Sequence, residues 1–159
     1  MPVIVLDEHP SISDFARRMA VLGPFEPSPH LAVAVSGGGD SMGLAILANR
    51  WARQKGGQVT ALTIDHGLRK EAAKEAEKVG MWLSKYSIKH VVLKWRGDKP
   101  ITGIQEAARN ARYRLMDQWC QNNHILHLLL DHTLDDQAET LLMRLQRGSG
   151  LDGLAAMSV

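Results

Sequence analysis

A run of three glycines between an apolar segment and a predicted helix is the part of this sequence best suited to hold phosphate. The run is Ser36-Gly37-Gly38-Gly39-Asp40-Ser41, and it follows the apolar residues 31–35. Glycines let a backbone approach a ligand closely and adopt positive φ angles. The start of the following helix offers free N–H groups and a positive dipole end. A carboxylate beside phosphate requires a cation between them, so Asp40 predicts bound Mg²⁺ at this loop.

Two common phosphate loops do not fit the glycine run. A Walker A loop has a lysine after its last glycine, and this run contains none. A dinucleotide fingerprint counted from Gly37 and Gly39 requires glycine at position 42, where Met42 stands. A tight turn with a helix cap is the structural alternative, but three glycines exceed what a cap needs. The remaining pattern, Ser-Gly-Gly-x-Asp-Ser, resembles the PP-loop of enzymes that split ATP into AMP and pyrophosphate.

A second polar loop, Asp65-His66-Gly67-Leu68-Arg69, ends the next predicted strand. Its position beside the glycine run suits contact with the sugar or base of a nucleotide. A capped turn in which Gly67 supplies the bend explains the same residues equally well. The residues alone leave both interpretations open.

A predicted long helix carries two arginines that could bind phosphate. Gln105, Arg109 and Arg112 are four and three positions apart, so they form one stripe of this helix. Such a stripe is normally a solvated face. Because the helix begins near the carboxyl ends of the strands, Arg112 could instead bind phosphate through two N–H groups.

A fourth segment, following residues 125–130, combines His132 with several carboxylates. Asp136 and Glu139 are three apart on a predicted helix over residues 135–147, so they share a face. Acidic residues in a first turn also suit the helix dipole, which is the structural alternative. The ligand spacing does not fit zinc. Carboxylates here could bind Mg²⁺ or act as a general base.

The elements that position these loops alternate between strand and helix. This alternation predicts an α/β fold with a doubly wound, Rossmann-like parallel sheet, in which ligands bind outside the carboxyl ends of the strands. The predicted strands cover residues 31–35, 58–64, 90–95 and 125–130, and the predicted helices cover residues 41–55, 70–86, 103–122 and 135–147. A helix over residues 11–22 and a proline-rich linker precede them. We therefore divide the chain into residues 1–30 and an ATP-binding domain over residues 31–159.

Net charge, cysteine content and the length of apolar runs limit the possible partners and cellular location of this protein. The net charge of +2 permits a nucleic-acid partner without requiring one. Cys120 is the single cysteine, which excludes an internal disulfide and fits the reducing cytoplasm. No apolar run approaches the roughly 20 residues of a membrane span. We expect a cytoplasmic protein without a membrane segment.

Four segments together resemble the tRNA(Ile)-lysidine synthetase family. The glycine run alone indicates only the PP-loop superfamily, whereas Asp-Asp-Gln-Ala-Glu-Thr followed by Arg-Gly-Ser-Gly is similar to this one family. The four segments cover residues 36–41, 65–69, 108–113 and 135–151.

The resemblance implies a two-step reaction. Such enzymes use ATP to adenylate the C2 oxygen of the wobble cytidine in tRNA(Ile) with a CAU anticodon, releasing pyrophosphate. The amino group of free L-lysine then displaces AMP and gives lysidine. ATP and Mg²⁺ are the implied cofactors, and this tRNA and L-lysine are the implied partners.

The resemblance also assigns residues. It implies that Asp40 holds Mg²⁺ and that Arg112 contacts ATP. The implied ATP-binding residues are Ser36, Gly37, Gly38, Gly39, Asp40, Ser41, Asp65 and Arg112. The implied catalytic residues are Asp40, Arg112, His132, Asp136 and Glu139.

Two departures from the family pattern matter. Asp131 stands where the family usually has a small residue, which adds a negative charge at the cleft. The chain stops at Val159, and we expect a fragment that lacks further tRNA-binding domains. Three alternatives remain. A tRNA thiolase usually needs several cysteines, an amidotransferase needs a glutaminase domain, and a truncated chain could only bind the nucleotide.

Overall fold

One sheet forms the middle of the molecule in a computed structural model that describes residues 3–5, 11–134 and 137–144. Its strands are β1 (Val3–Val5), β2 (His30–Ala34), β3 (Gln58–Asp65), β4 (Lys89–Lys94), β5 (His127–Leu134) and β6 (Gln137–Arg144). The helices are α1 (Ile12–Leu22), α2 (Gly39–Gln54), α3 (Ala72–Ser84) and α4 (Ile104–Asn122). The order of the strands across the sheet is β1-β6-β5-β2-β3-β4.

Strands β5, β2, β3 and β4 run parallel to one another and confirm the predicted doubly wound sheet. From β2 the chain steps to β3 and then to β4, and it returns to place β5 on the other side of β2. The direction of winding therefore reverses between β2 and β5. In open parallel sheets, the crevice at this reversal is where ligands bind.

Two apolar layers enclose the sheet, one on each face. Strand β2 is therefore buried on both sides. Along β2 and the residue after it, Leu31, Val33 and Val35 pack with α1, α2 and α3, whereas Ala32 and Ala34 pack with α4. This alternation follows from the two-residue period of a strand. A strand buried on both faces reads as a continuous apolar run, as the sequence of residues 31–35 does.

The first helix belongs to the same core. Ser11 caps α1 by accepting a hydrogen bond from the Asp14 N–H, and Phe15 and Met19 are buried against α2 and the sheet. Phe25 then packs edge-on against Trp51. The domain boundary at residue 30 stays a prediction. Among the helices that the structure describes, none is long and apolar enough to cross a membrane.

The predicted helix over residues 135–147 is wrong in its described part. Residues 137–144 form β6, which pairs antiparallel with β5 and in turn pairs with β1. The short apolar run 141–143 fits either a helix or a strand by periodicity, and pairing with the available edge of β5 decides between them. The loop that we expected after residue 130 is likewise replaced by the continuation of β5 to Leu134.

Candidate functional site

The glycine run lies at the reversal of the sheet, between β2 and α2. Helix α2 begins at Gly39 with Gly38 as its cap residue, two positions earlier than the sequence predicted. Gly37 has a φ angle of +98°, and a Cβ at this position would lie 3.0 Å from Val79 Cγ2. Glycine is therefore required at position 37 both by the backbone conformation and by the close packing of α3.

Two serines brace this loop from inside. The Ser36 N–H donates to Ser41 Oγ at 3.2 Å, and Ser41 Oγ donates to the Gly38 carbonyl at 3.1 Å. The Ser36 and Ser41 hydroxyl oxygens lie 3.2 Å apart. Ser41 is only 4% exposed, whereas Ser36, Gly38, Gly39 and Asp40 are exposed. The structure thus gives Ser41 an internal role, and its contact with phosphate stays a prediction.

The exposed part of the loop can hold an anion. The first N–H groups of a helix have no acceptor within that helix, and they point toward its positive dipole end. Gly39 and Asp40 supply these groups in α2. The geometry therefore agrees with a phosphate cradle, with the Asp40 side chain beside it.

A pocket of about 260 Å³ adjoins the loop at the ends of β2 and β3. Ser36 lies at one side of this nucleoside-sized pocket, Val79 and Leu62 supply apolar walls, and His66 and Arg112 supply polar groups. An apolar cavity with a few convergent polar groups is typical of small-molecule sites. Together with the phosphate cradle, it can hold a nucleotide.

The structure gives Asp65 the capping role. Its Oδ1 accepts a hydrogen bond from the Gly67 N–H at 2.9 Å, and Gly67 has a φ angle of +65°. Asp65 does not line the pocket beside the glycine run, but its neighbour His66 does. Contact of Asp65 with a ligand stays a prediction.

His66 is a site residue that sequence reasoning did not select. Its ring packs edge-on to Trp95, and burial lowers the pKa of His66, with the charge of Arg112 lowering it further. Its Nδ1 atom is buried and has no hydrogen-bond partner among the residues that the structure describes. Its place in the polar Asp-His-Gly segment was the available signal.

Arg112 lines both the first pocket and a second, larger cavity of about 700 Å³. The side chain is half-buried, and this burial lowers the pKa of Arg112. A guanidinium nevertheless keeps its charge in proteins. Arg109 is exposed, lies over the Tyr113 ring and, of these two cavities, lines the second but not the first. The structure therefore brings Arg112, rather than Arg109, next to the glycine run.

Two carboxylates converge at the reversal of the sheet. Burial raises the pKa of Asp131 on β5, the nearby charge of Asp40 raises it further, and Arg112 lowers it. Asp131 Oδ1 is buried and lacks a hydrogen-bond partner in the described part of the chain. An orphaned carboxylate oxygen beside a second carboxylate fits a divalent cation. Within the described residues, no cluster of three or more His, Cys, Asp or Glu side chains forms a ready metal site. A Mg²⁺ ion here would thus share its coordination with phosphate oxygens and water.

The remaining predicted residues follow in β5 and β6. His132 on β5 pairs directly with Glu139 on β6, so the backbone brings these two together. The shared helix face expected for Asp136 and Glu139 is wrong, because Glu139 lies in a strand. Asp136 lies outside the described residues.

Comparison with known proteins agrees with this geometry. Residues 12–159 match the sequence model of a family described as the PP-loop domain. The tRNA(Ile)-lysidine synthase of Bradyrhizobium diazoefficiens is 53% identical over 133 residues, covering 82% of this chain and 37% of that protein. The tRNA(Ile)-lysidine synthase of Rhodopseudomonas palustris is 49% identical over 145 residues, covering 90% of this chain and 41% of that protein. The chain therefore spans less than half the length of these curated relatives.

A solved structure shares the fold. The U34-tRNA thiolase NcsA from Methanococcus maripaludis, solved with its 4Fe-4S cluster, superposes with a TM-score of 0.65 at 17% identity. The match covers 79% of this chain and 47% of that one. At this level of identity, the likeness shows the fold alone.

Proposed function

Because this chain belongs to the PP-loop domain family, we propose that it carries the ATP-binding, adenylating site of a tRNA(Ile)-lysidine synthase. The observation that carries the proposal is the convergence at one sheet edge of the glycine cradle, Arg112 and Asp40. The curated relatives with this name support the choice of reaction within the family. The substrates are ATP, tRNA(Ile) with a CAU anticodon and free L-lysine, and the site of action is the cytoplasm.

The first step is adenylation of the cytidine. The C2 oxygen of the wobble base attacks the α-phosphorus of ATP, a new phosphorus–oxygen bond forms, and the bond to the β-phosphate breaks to release pyrophosphate. The N–H groups at the start of α2 hold the phosphates that leave. Arg112, which lines the pocket beside the loop, stabilises negative charge that develops on the transferred phosphate.

Asp40 and Asp131 are the residues that would hold Mg²⁺. When bound, the ion neutralises part of the phosphate charge and helps pyrophosphate to leave. The two carboxylates come from α2 and β5 and lie near each other at the reversal of the sheet, where they would share the ion with the phosphates. Asp131 departs from the family pattern, and its orphaned oxygen supports a role at the cation rather than at the nucleotide base.

The second step needs a group that accepts a proton. The lysine amino nitrogen forms a bond to C2 of the cytidine, the bond from C2 to the adenylated oxygen breaks, and AMP leaves. The nitrogen gives up its proton to a base. His132, Asp136 and Glu139 are the candidates that the family resemblance supplies, and the backbone pairing of His132 with Glu139 supports two of them.

The chemistry of Cys120 favours this reaction over tRNA thiolation. Cys120 lies on the buried side of α4, and burial raises the pKa of its thiol to about 12. A sulfur carrier must form a thiolate at neutral pH. This cysteine therefore does not suit sulfur transfer, although the fold is shared with a thiolase.

Pyrophosphate release tests the proposed function. The chain is mixed with ATP and Mg²⁺, with and without unmodified tRNA(Ile) carrying the CAU anticodon, and a transcript with a GAU anticodon is the matched control. We expect release that depends on the CAU transcript, and mass spectrometry should then find lysidine when lysine is added. ATP binding without any tRNA-dependent release would limit this chain to nucleotide binding. Absence of ATP binding would overturn the proposal.

A further inference from the structure

A buried hydroxyl lies directly behind the glycine loop. Thr63, on β3, is 8% exposed, and its Oγ1 donates a hydrogen bond to the Val35 carbonyl at 2.9 Å. The strand pairing of β2 with β3 ends at Ala34 and Leu62, so Val35 is the first residue beyond the paired strand. The Val35 N–H still donates to the Leu62 carbonyl at 2.8 Å, and the Thr63 hydroxyl adds a bond from β3 to the Val35 carbonyl, the last backbone group before the loop.

A histidine on the next strand orients this hydroxyl. His90 Nε2, on β4, lies 2.8 Å from Thr63 Oγ1. The hydroxyl has one proton, which it gives to Val35, so its oxygen must accept the proton on His90 Nε2. The hydrogen bonds thus select the neutral ring with its proton on Nε2. Burial lowers the pKa of His90, which agrees with a neutral ring.

The other side of the His90 ring faces α3. A Cβ on Gly80 would lie 2.9 Å from His90 Nδ1, closer than a real Cβ atom approaches a neighbour. Glycine in the interior of a helix is unfavourable by about 1 kcal/mol relative to alanine. Space for the imidazole explains why α3 has a glycine at this position.

The peptide unit between Val35 and Ser36 is consequently held at both ends. Its carbonyl accepts from Thr63, and its N–H donates to Ser41 Oγ. A peptide unit is planar, so fixing both groups fixes the direction in which the chain leaves β2. That direction decides where the N–H groups of the glycine run point.

We propose that His90 is a positioning residue for the phosphate loop, acting through the Thr63 hydroxyl on the Val35 carbonyl. It does not touch the nucleotide. The inference rests on the proposed function in so far as the loop binds ATP, but the arrangement of the loop itself can be measured without a ligand.

Two pairs of variants separate positioning from simple stabilisation. Thr63→Val removes the hydroxyl at constant shape, and Thr63→Ser restores it. His90→Leu removes the donor, and His90→Gln places an amide N–H at about the position of Nε2. Hydrogen exchange of residues 36–41 is measured without nucleotide, the dissociation constant for ATP is measured by calorimetry, and thermal unfolding is recorded for every variant.

We expect Thr63→Val and His90→Leu to raise the dissociation constant for ATP about five- to tenfold and to speed exchange in the loop more than elsewhere. Thr63→Ser and His90→Gln should recover most of both losses. Gly80→Ala gives a second route, because its Cβ displaces the ring without changing Thr63 or His90, while alanine favours the helix. Gly80→Ala should also speed hydrogen exchange in the loop and raise the dissociation constant for ATP.

Three results would overturn the proposal. One is hydrogen exchange in the loop and ATP affinity that are both unchanged in Thr63→Val and His90→Leu. Another is faster exchange spread evenly over the whole chain. The third is failure of the serine and glutamine variants to rescue the loop. If the wild-type chain binds no ATP, the proposed function fails, whereas loop exchange still decides for or against positioning by His90.

Discussion

Two half-buried histidines at opposite ends of the sheet have different surroundings. At the amino end, His30 Nε2 lies 2.9 Å from Thr60 Oγ1 on the neighbouring strand. At the carboxyl end, His66 Nδ1 has no hydrogen-bond partner within the described residues, and neither has Asp131 Oδ1. Buried polar atoms in folded proteins nearly always have partners. The difference between His30 and His66 indicates that the carboxyl end is arranged for a ligand.

Replacing Asp40 is the strongest way to sharpen this difference. If Asp40 holds Mg²⁺ at the carboxyl end, Asp40→Ala should lower tRNA-dependent pyrophosphate release by about 100-fold or more, with little change in thermal stability. Asp14→Ala is the matched control, because Asp14 also lies in the first turn of a helix but its side chain contacts Ser11 and Arg17 rather than the loop. Release by the Asp40 variant at the rate of the wild type would refute a role for this carboxylate.

Arg112 gives the next largest expected effect. Arg112→Ala should weaken ATP binding by about 10- to 100-fold, the usual loss for a hydrogen-bonded charge, as measured by calorimetry. Arg114→Ala, two positions away on the exposed side of α4, should leave the affinity unchanged. Equal affinities for the two variants would mean that Arg112 does not contact phosphate.

Alanine substitutions at one glycine in the loop and one in the following helix should change the free energy of unfolding in opposite directions. Gly37→Ala forces a side chain into a positive φ angle against Val79, and it should lower the free energy of unfolding by about 1–3 kcal/mol. At Gly43, in α2, an added Cβ meets no atom within 4 Å. Gly43→Ala should therefore raise the free energy of unfolding by about 1 kcal/mol. Denaturation in urea measures both, and a stable Gly37 variant would contradict the strained loop.

Replacing His30 or His66 should give the smallest effects. We expect one variant to change stability and the other to change ATP affinity. His30→Ala should lower the free energy of unfolding by about 1 kcal/mol through loss of the Thr60 partner, without changing ATP affinity. His66→Ala should weaken ATP binding by about two- to tenfold and leave stability nearly unchanged. The reverse pattern would invalidate the contrast between the two ends.

The pH dependence of stability provides a further test of the role of His30. Burial lowers the pKa of His30 in the folded chain below its ordinary value of 6.5. The unfolded chain then binds the proton first, so stability falls as the pH drops below about 6.5. His30→Ala removes this contribution, and its free energy of unfolding should decline less between pH 7 and pH 5.

Much of the fold was predictable because its signals are local. The predicted strand at residues 58–64 agrees with β3 within one residue, and the predicted helix at residues 103–122 agrees with α4 within one residue. Residues 137–144 were predicted wrongly, since their apolar run fits both periods and nothing within the run shows that it pairs with β5 on one side and β1 on the other. The glycine run was found because its composition demands an unusual backbone.

The site was predictable only in part. Sequence reasoning located Asp40 and Arg112, and the structure brings both to the reversal of the sheet. It offered Asp65 as a ligand contact, but the structure uses this side chain to cap the Gly67 turn. It omitted His66, because the polar Asp-His-Gly segment fits a capped turn equally well, and only the tertiary structure places this histidine beside a pocket.

By itself, the sequence determined the order of strands and helices from β2 to β5 and the place of the phosphate loop. These follow from apolar periodicity and from the backbone freedom of glycine, which act over a few residues. Only the tertiary structure decided which groups meet. Thr63 reaches Val35 across 28 positions, and His90 reaches Thr63 across 27. Such contacts depend on strand register and helix packing, and these are set when the whole sheet assembles.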